Sequence, residues 1–108
     1  MFDFLKKLFA GNSDSIAEAL RQGGTVIDVR TAAEFKGGSV KNAVNIPHTE
    51  IRQASKKIAK LKQPLILCCA SGMRSGIALQ ELKSMGYEQV FNGKTWGQVQ
   101  SIQKSLSA

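Results

Sequence analysis

The sequence predicts an α/β fold with a small, mostly parallel central sheet that is flanked by helices on both faces. Short apolar runs alternate with amphipathic helical segments along the chain, as in parallel strands that are joined by helical connections. The length of 108 residues is close to that of one domain, and an apolar content of 43% is typical of a globular chain. We therefore expect one domain over residues 13–108 and an N-terminal extension over residues 1–12.

The extension is expected to be amphipathic, because Phe2, Leu5 and Phe9 recur at helical spacing. Two lysines interrupt these apolar residues and no small-residue cleavage site follows, so the segment does not resemble a secretory signal. We expect it to pack as a short helix on the domain or on a partner. No apolar run of the chain approaches the roughly 20 residues of a membrane-spanning helix, so no membrane span is expected.

The first half of the domain predicts helices with capping signals and short strands between them. A capping box of Ser15 and Glu18 opens a helix that a glycine pair ends. A second capping box, of Thr31 and Glu34, opens a short helix. Strands are expected over residues 25–29 and 40–46, and apolar positions at helical spacing predict one longer helix over residues 49–61.

The second half predicts a central strand, a glycine-containing turn and three further elements. Residues 65–68 form an apolar run that is too short for a helix and suits a strand buried on both faces. The turn over residues 69–75 leads into a helix that is expected to end near Gly86. A last strand over 89–92 and a final helix over 95–106 complete the alternation.

Positive charge is concentrated in one part of the chain. The protein has 15 Lys and Arg against 8 Asp and Glu, which gives a net charge of +7, and residues 51–80 contain six basic side chains and no acidic one. The same window contains Cys68 and Cys69, and a thiolate at neutral pH requires positive surroundings. Few aromatic residues and no recognised binding motif argue against nucleic acid as a partner, so we expect small anions.

The two cysteines are adjacent, which excludes a disulfide framework, and together with one histidine they are too few for a structural zinc site. We therefore expect no metal and no organic cofactor. Free thiols without an export signal indicate a reducing cytoplasm as the expected location.

The segment from Cys69 to Ser75 predicts a site for an anionic substrate. Gly72 allows a turn whose backbone N–H groups point at one atom, and the following helix adds its positive N-terminal end. Arg74 adds a permanent cation. We expect this field to lower the pKa of Cys69 and to make its thiolate a nucleophile, whereas Cys68 continues the apolar strand and is expected to be buried.

The loop can also be counted from Cys68 instead of Cys69, and we call this alternative the phosphatase frame. Five residues then separate Cys68 from Arg74, as in the signature of cysteine-dependent phosphatases. Against this frame, Leu67 rather than histidine precedes Cys68, and Gly72 falls in the fourth intervening place. The residues alone therefore leave a phosphatase or an arsenate reductase as the alternative function.

Four segments, in this order, resemble the rhodanese family of sulfurtransferases: VIDVRTAAEF at 26–35, AVNIP at 43–47, LILCCASGMRSGIALQELKSMGY at 65–87 and VFNG at 90–93. Asp-Val-Arg combined with Cys-x-x-Gly-x-Arg-Ser is specific, although either motif alone is weak. The resemblance implies that Cys69 takes a sulfane sulfur from a donor such as thiosulfate, becomes a persulfide, and passes the sulfur to cyanide or to a small or protein thiol.

The resemblance also implies a six-residue active loop, with Ser75 directly after it. Related phosphatases and arsenate reductases have a loop one residue longer. The six-residue length therefore favours sulfur transfer over phosphate chemistry. A non-enzymatic sulfur carrier or docking module, with the N-terminal extension binding a partner, is a third hypothesis. The loop consists of Cys69, Ala70, Ser71, Gly72, Met73 and Arg74.

Three residues outside the loop are supporting candidates by the same resemblance. Asp28 resembles the family aspartate that braces the site, and Arg30 resembles its partner arginine. Glu34 is expected to pair with Arg30 and also belongs to a capping box. Lys94 stands where many members have a second glycine, and His48, the single histidine, is expected to be an ordinary loop residue.

Overall fold

A computed structural model describes residues 13–107, and both the predicted extension over residues 1–12 and Ala108 lie outside the described residues. The described chain contains one sheet with the strand order β2-β1-β3-β4, and every neighbouring pair is parallel. The predicted α/β class is therefore confirmed. The strands are β1 (Thr25–Asp28), β2 (Val44–Asn45), β3 (Leu65–Cys69) and β4 (Val90–Thr95).

Helices connect the strands and cover both faces of the sheet, as predicted. None of the helices within residues 13–107 combines the length and the apolar character needed to cross a bilayer. A 3-10 helix at His48–Glu50 accompanies α1 (Ser13–Arg21), α2 (Ala32–Lys36), α3 (Ser55–Ala59), α4 (Met73–Ser84) and α5 (Trp96–Ser107).

Alternation along β3 divides the core into two clusters, because successive side chains of a strand point to opposite faces. Cys69 and Leu67 pack on one face with Ile58 of α3 and Leu82 of α4. Cys68 packs on the other face, whose further buried members are Ile16, Ala19, Val26, Val40, Ile66 and Val99. The two adjacent cysteines therefore belong to different halves of the core.

Three local predictions differ from the structure. The Ser15 capping box is wrong, because α1 already begins at Ser13 and Ser15 lies within its first turn. The strand predicted over 40–46 shrinks to β2, because Asn42 has a left-handed φ of 67° that an extended strand does not accommodate. The helix predicted over 49–61 is broken by a turn over residues 51–54, and α3 begins only after it.

The second capping box is confirmed. Thr31 Oγ1 accepts the backbone N–H of Glu34 at 3.3 Å, and Glu34 Oε1 accepts the backbone N–H of Thr31 at 3.1 Å. These bonds satisfy two N–H groups that have no partner within the first turn of a helix. They also fix the backbone of Glu34 at the start of α2.

Candidate active site

The side chain of Cys69 lies inside a tight turn between the end of β3 and the start of α4. Its Sγ atom accepts the N–H of Gly72 at 2.9 Å and the N–H of Ser75 at 3.4 Å. The thiol in turn donates to Ser75 Oγ at 3.5 Å. Both Cys69 and Ser75 are fully buried, so these donors converge on the sulfur in a site from which bulk water is largely excluded.

Two opposing effects set the pKa of Cys69. Burial raises the pKa of the thiol, because a charged sulfur is poorly solvated inside the protein. When Cys69 ionises, the Ser75 hydroxyl turns from Asn92 and donates to the sulfur. This bond and the bonds from the backbone N–H groups of Ser75, Gly72 and Ser71 lower the pKa and outweigh burial. The net shift is downward, so the arrangement makes a thiolate more available than in a free cysteine.

Gly72 is required by the shape of the turn. Its φ of 97° lies in the left-handed region, where a Cβ is disfavoured. A Cβ built on Gly72 would lie in van der Waals contact with Cβ of Lys94, at 3.4 Å, so the backbone conformation rather than a lack of space requires glycine here. The absence of a side chain thus lets the N–H of Gly72 face the Cys69 sulfur.

Asn92 takes part in the site, although its sequence position predicts only a strand residue. Its Oδ1 accepts the Ser75 hydroxyl at 2.7 Å and the backbone N–H of Lys94 at 2.9 Å. It therefore links the hydroxyl next to the Cys69 sulfur to the backbone of β4. One feature of the sequence could have identified Asn92 as a site residue. It is a polar residue near the carboxyl end of a parallel strand, where ligands of such sheets bind.

Glu34 pairs with Arg74 and not with Arg30, so the predicted Glu34–Arg30 pair is wrong. Two parallel bonds join the side chains, at 2.7 Å from Nη1 to Oε1 and 3.0 Å from Nη2 to Oε2. Bonds from the Arg74 guanidinium, and then from the Thr31 backbone, lower the pKa of Glu34 to about 2. The pair ties α2 to the loop, and the charge of Arg74 is offset by a carboxylate.

Asp28 and Arg30 form a buried ion pair on the face of the sheet opposite Cys69. Arg30 Nη2 lies 2.7 Å from Asp28 Oδ2 and also donates to the carbonyl of Gly38 at 2.6 Å. The guanidinium stacks 4.7 Å from the ring centroid of Trp96. Within residues 13–107, no side-chain hydrogen bond joins either member to the loop over residues 69–75, so the pair fixes the carboxyl end of β1 without touching the loop.

Cys68 is fully buried on the α1 and α5 face and pairs in register with Asp28. Burial, followed by the negative charge of Asp28, raises the pKa of Cys68 to about 12, so the side chain is a neutral thiol. The N–H groups of the loop contact the sulfur of Cys69 instead. The phosphatase frame counted from Cys68 is therefore wrong, because its loop does not surround that sulfur.

The remaining loop residues lie at the surface. Ala70, Ser71 and Met73 are exposed, and Met73 is 75% exposed. One turn further along α4, Ile77 is 57% exposed. His48 lies in the 3-10 helix, where its N–H donates to the carbonyl of Val29, and no side-chain hydrogen bond joins it to the loop within the described part of the chain.

Comparison with known proteins supports one family. A family model described as a Rhodanese-like domain matches residues 12–94. Thiosulfate sulfurtransferase GlpE of Pseudomonas savastanoi is 32% identical over 77 residues, which cover 70% of this chain and 72% of that protein. The uncharacterized protein YqhL of Bacillus subtilis is 37% identical over 76 residues, which cover 67% of this chain. The chain spans only 60% of the length of YqhL.

The fold supports the same assignment. A solved structure described as a rhodanese with anions from E. coli superimposes with a TM-score of 0.63 at 28% sequence identity. The match covers 68% of this chain and 88% of that one. The chain belongs to the rhodanese family.

Proposed function

We propose that the protein is a sulfurtransferase that moves a sulfane sulfur from thiosulfate or a similar anionic donor, through a persulfide on Cys69, to cyanide or a thiol. One observation carries the proposal: backbone N–H groups of Gly72 and Ser75 converge on a single cysteine sulfur, at 2.9 Å and 3.4 Å. Such donors stabilise a negative sulfur, and the similarity to GlpE, which is named a thiosulfate sulfurtransferase, supports the choice of donor.

The first half-reaction needs a thiolate and no proton transfer. The Cys69 thiolate attacks the outer sulfur of thiosulfate and forms a new S–S bond. The bond between the two sulfurs of thiosulfate breaks, and sulfite leaves with its electron pair. The persulfide that remains carries its negative charge on the outer sulfur, where the N–H groups of the turn and the positive end of α4 stabilise it.

The second half-reaction regenerates the enzyme. Cyanide or a thiolate attacks the outer sulfur of the persulfide, the persulfide S–S bond breaks, and Cys69 leaves as a thiolate. The products are thiocyanate or a new persulfide on the acceptor. The scheme uses no metal and no organic cofactor, and because it depends on reduced Cys69 we propose the reducing cytoplasm as its location.

Turnover of thiosulfate with cyanide tests the proposal. Cys69→Ser should abolish thiocyanate formation, because a serine hydroxyl stays protonated and forms no persulfide. Cys68→Ala is the matched control, because Cys68 is the adjacent thiol but lies on the opposite face of the sheet. The control should retain most of the activity. Activity that survives in Cys69→Ser, or that disappears in a folded Cys68→Ala, contradicts the proposal.

A sulfur carrier that hands its sulfur to a protein is the second candidate. It is favoured by the exposed apolar side chains of Met73, within the loop, and Ile77, one turn further along α4, because they suit a protein surface better than a small acceptor. Loading of Cys69 with sulfur but negligible turnover with cyanide and small thiols would favour this candidate. Rapid multiple turnover with small acceptors would favour the enzyme.

A further inference from the structure

β4 contains a bulge directly beside the cysteine loop. β3 advances from Leu67 to Cys69 while β4 advances from Asn92 to Thr95, so β4 holds one additional residue in this stretch. Lys94 lies in the bulge with a left-handed φ of 66°, a conformation that residues with a Cβ rarely adopt. The Asn92 side chain accepts its N–H and stabilises this conformation. Bulges of this kind commonly redirect a side chain next to a functional site.

The bulge brings Lys94 against the turn that holds the Cys69 sulfur. A Cβ built on Gly72 would lie 3.4 Å from Cβ of Lys94 and 3.7 Å from its Cγ. Gly72 is also the residue whose N–H is closest to the sulfur. The Cβ and Cγ of Lys94 therefore lie against Gly72, and two further carbons of a flexible stem join them to the ammonium group.

The charges around the loop make Lys94 distinctive. The guanidinium of Arg74, the cation within the loop, is held by two hydrogen bonds to the carboxylate of Glu34. Lys94 is exposed, and among residues 13–107 its side chain takes part in no ion pair. In this structure Lys94 is therefore the cation beside the loop that no described carboxylate neutralises.

We propose that Lys94 is a specificity-determining residue that attracts the anionic end of the donor to the mouth of the Cys69 loop, by which we mean the solvent-facing entrance to the turn over residues 69–75. The inference rests on the proposed sulfur transfer. When the sulfane sulfur of thiosulfate meets Cys69, its sulfonate end stays outside the buried turn, and the flexible Lys94 side chain beside Gly72 is the cation that we infer to meet it. A neutral sulfane donor gains nothing from this cation. Lys94 thus sets a preference for anionic over neutral donors.

Donor preference in charge variants of Lys94 tests the inference. Lys94→Gln should lower kcat/KM for thiosulfate by about fivefold, the upper range for an exposed charge pair, and Lys94→Arg should restore it. Dimethyl trisulfide is a neutral donor: Cys69 displaces methanethiolate to form a trisulfide, and methanethiolate then removes the terminal methylthio group as dimethyl disulfide, which leaves the Cys69 persulfide. With this donor both variants should stay within about twofold of the wild type. The difference for thiosulfate should shrink in about 0.5 M NaCl, because salt screens an exposed charge.

Lys62→Gln is the matched control, because it removes the same charge near the opposite ends of the strands. The carbonyl of Lys62 accepts the N–H of Thr25 at the start of β1, so this lysine lies near the amino ends of the strands. The control should leave kcat/KM for both donors unchanged. An equal loss for both donors in Lys94→Gln, or a failure of Lys94→Arg to restore activity, overturns the inference.

Alkylation of Cys69 separates this inference from the proposed function, because it requires no sulfur transfer. Iodoacetate is anionic and iodoacetamide is neutral, so the ratio of their rates reports the cation at the mouth of the loop. Lys94→Gln should lower this ratio several-fold. If Lys94→Gln lowers the ratio but the wild-type protein does not turn over thiosulfate, the proposed function is overturned and the role of Lys94 in attracting anions is supported. An unchanged ratio in an active protein would overturn the role of Lys94.

Discussion

Replacing Ser75 by alanine should raise the pKa of Cys69 by about one unit. The thiol donates to the Ser75 hydroxyl at 3.5 Å, and when Cys69 ionises the hydroxyl turns from Asn92 and donates to the sulfur instead. A hydrogen bond to a charged group contributes about 1.5–3 kcal/mol, and because the hydroxyl gives up its bond to Asn92 the net gain is at the lower end. Since one pKa unit corresponds to about 1.4 kcal/mol, the expected rise is about one unit.

The rest of the loop should survive this substitution. Asn92 Oδ1 loses the Ser75 hydroxyl but still accepts the N–H of Lys94 at 2.9 Å, so it is not left without a partner. The backbone N–H groups of Gly72 and Ser75 still face the sulfur. The variant therefore isolates the contribution of one hydroxyl to the stability of the thiolate.

The assay is the rate of iodoacetamide alkylation as a function of pH, since only the thiolate reacts. The midpoint for Ser75→Ala should lie about one unit above that of the wild type. Ser71→Ala is the control, because its exposed hydroxyl accepts from the N–H of Met73 and makes no bond to the sulfur. A midpoint that moves by less than about 0.2 units in a folded Ser75→Ala protein refutes the reasoning.

Four further predictions concern Glu34, Arg30, Arg74 and Lys94. Because its partners lower the pKa of Glu34 to about 2, the stability that it contributes is fully present above its ordinary pKa and is lost as the pH falls toward 2. The difference in the free energy of unfolding by urea between wild type and Glu34→Gln should shrink as the pH falls over that window. A difference that stays constant with pH contradicts this prediction. Arg30→Ala leaves the buried Asp28 carboxylate without its partner and should lower the free energy of unfolding by about 3 kcal/mol. Arg74→Ala should cost less stability but lower kcat/KM for thiosulfate more than Arg30→Ala, and equal losses of kcat/KM refute this division. Lys94→Gly should raise the free energy of unfolding by about 0.5–1 kcal/mol, because glycine tolerates the left-handed φ, whereas Lys94→Gln should not.

Features that depend on local sequence were predictable. The Thr31 capping box and the apolar run of β3 each need only a few neighbouring residues, and both are present in the structure. The position of Gly72 in a turn between a strand and a helix likewise predicts N–H groups that face the preceding cysteine. In the structure, those N–H groups donate hydrogen bonds to the sulfur of Cys69.

Features that depend on distant parts of the chain were not predictable in the same way. Glu34 and Arg30 are close in sequence, but the Asp28 ion pair holds Arg30 on the other face of the sheet, and Glu34 bonds instead to Arg74, 40 residues away. The contact between Asn92 and Ser75 depends on how β4 pairs with β3. Neither pairing is encoded in the spacing of residues along one segment.

The broken helix after Pro47 shows a third limit. Apolar periodicity over residues 49–61 is real, and both Ile51 and Ile58 are buried in the same cluster. The chain nevertheless reaches these positions through a 3-10 helix, a turn and a short α-helix, rather than through one continuous helix. Periodicity identifies which side chains are buried, but it does not determine whether the backbone between them is continuous.

The most direct test of sulfur transfer through Cys69 is the intact mass of the protein after incubation with thiosulfate under non-reducing conditions. Wild type and Cys68→Ala should each gain one sulfur atom, about 32 Da, and cyanide should remove it. Cys69→Ser should gain nothing. A sulfur adduct on Cys69→Ser, or an unchanged mass for the folded wild-type protein, would contradict the persulfide on Cys69.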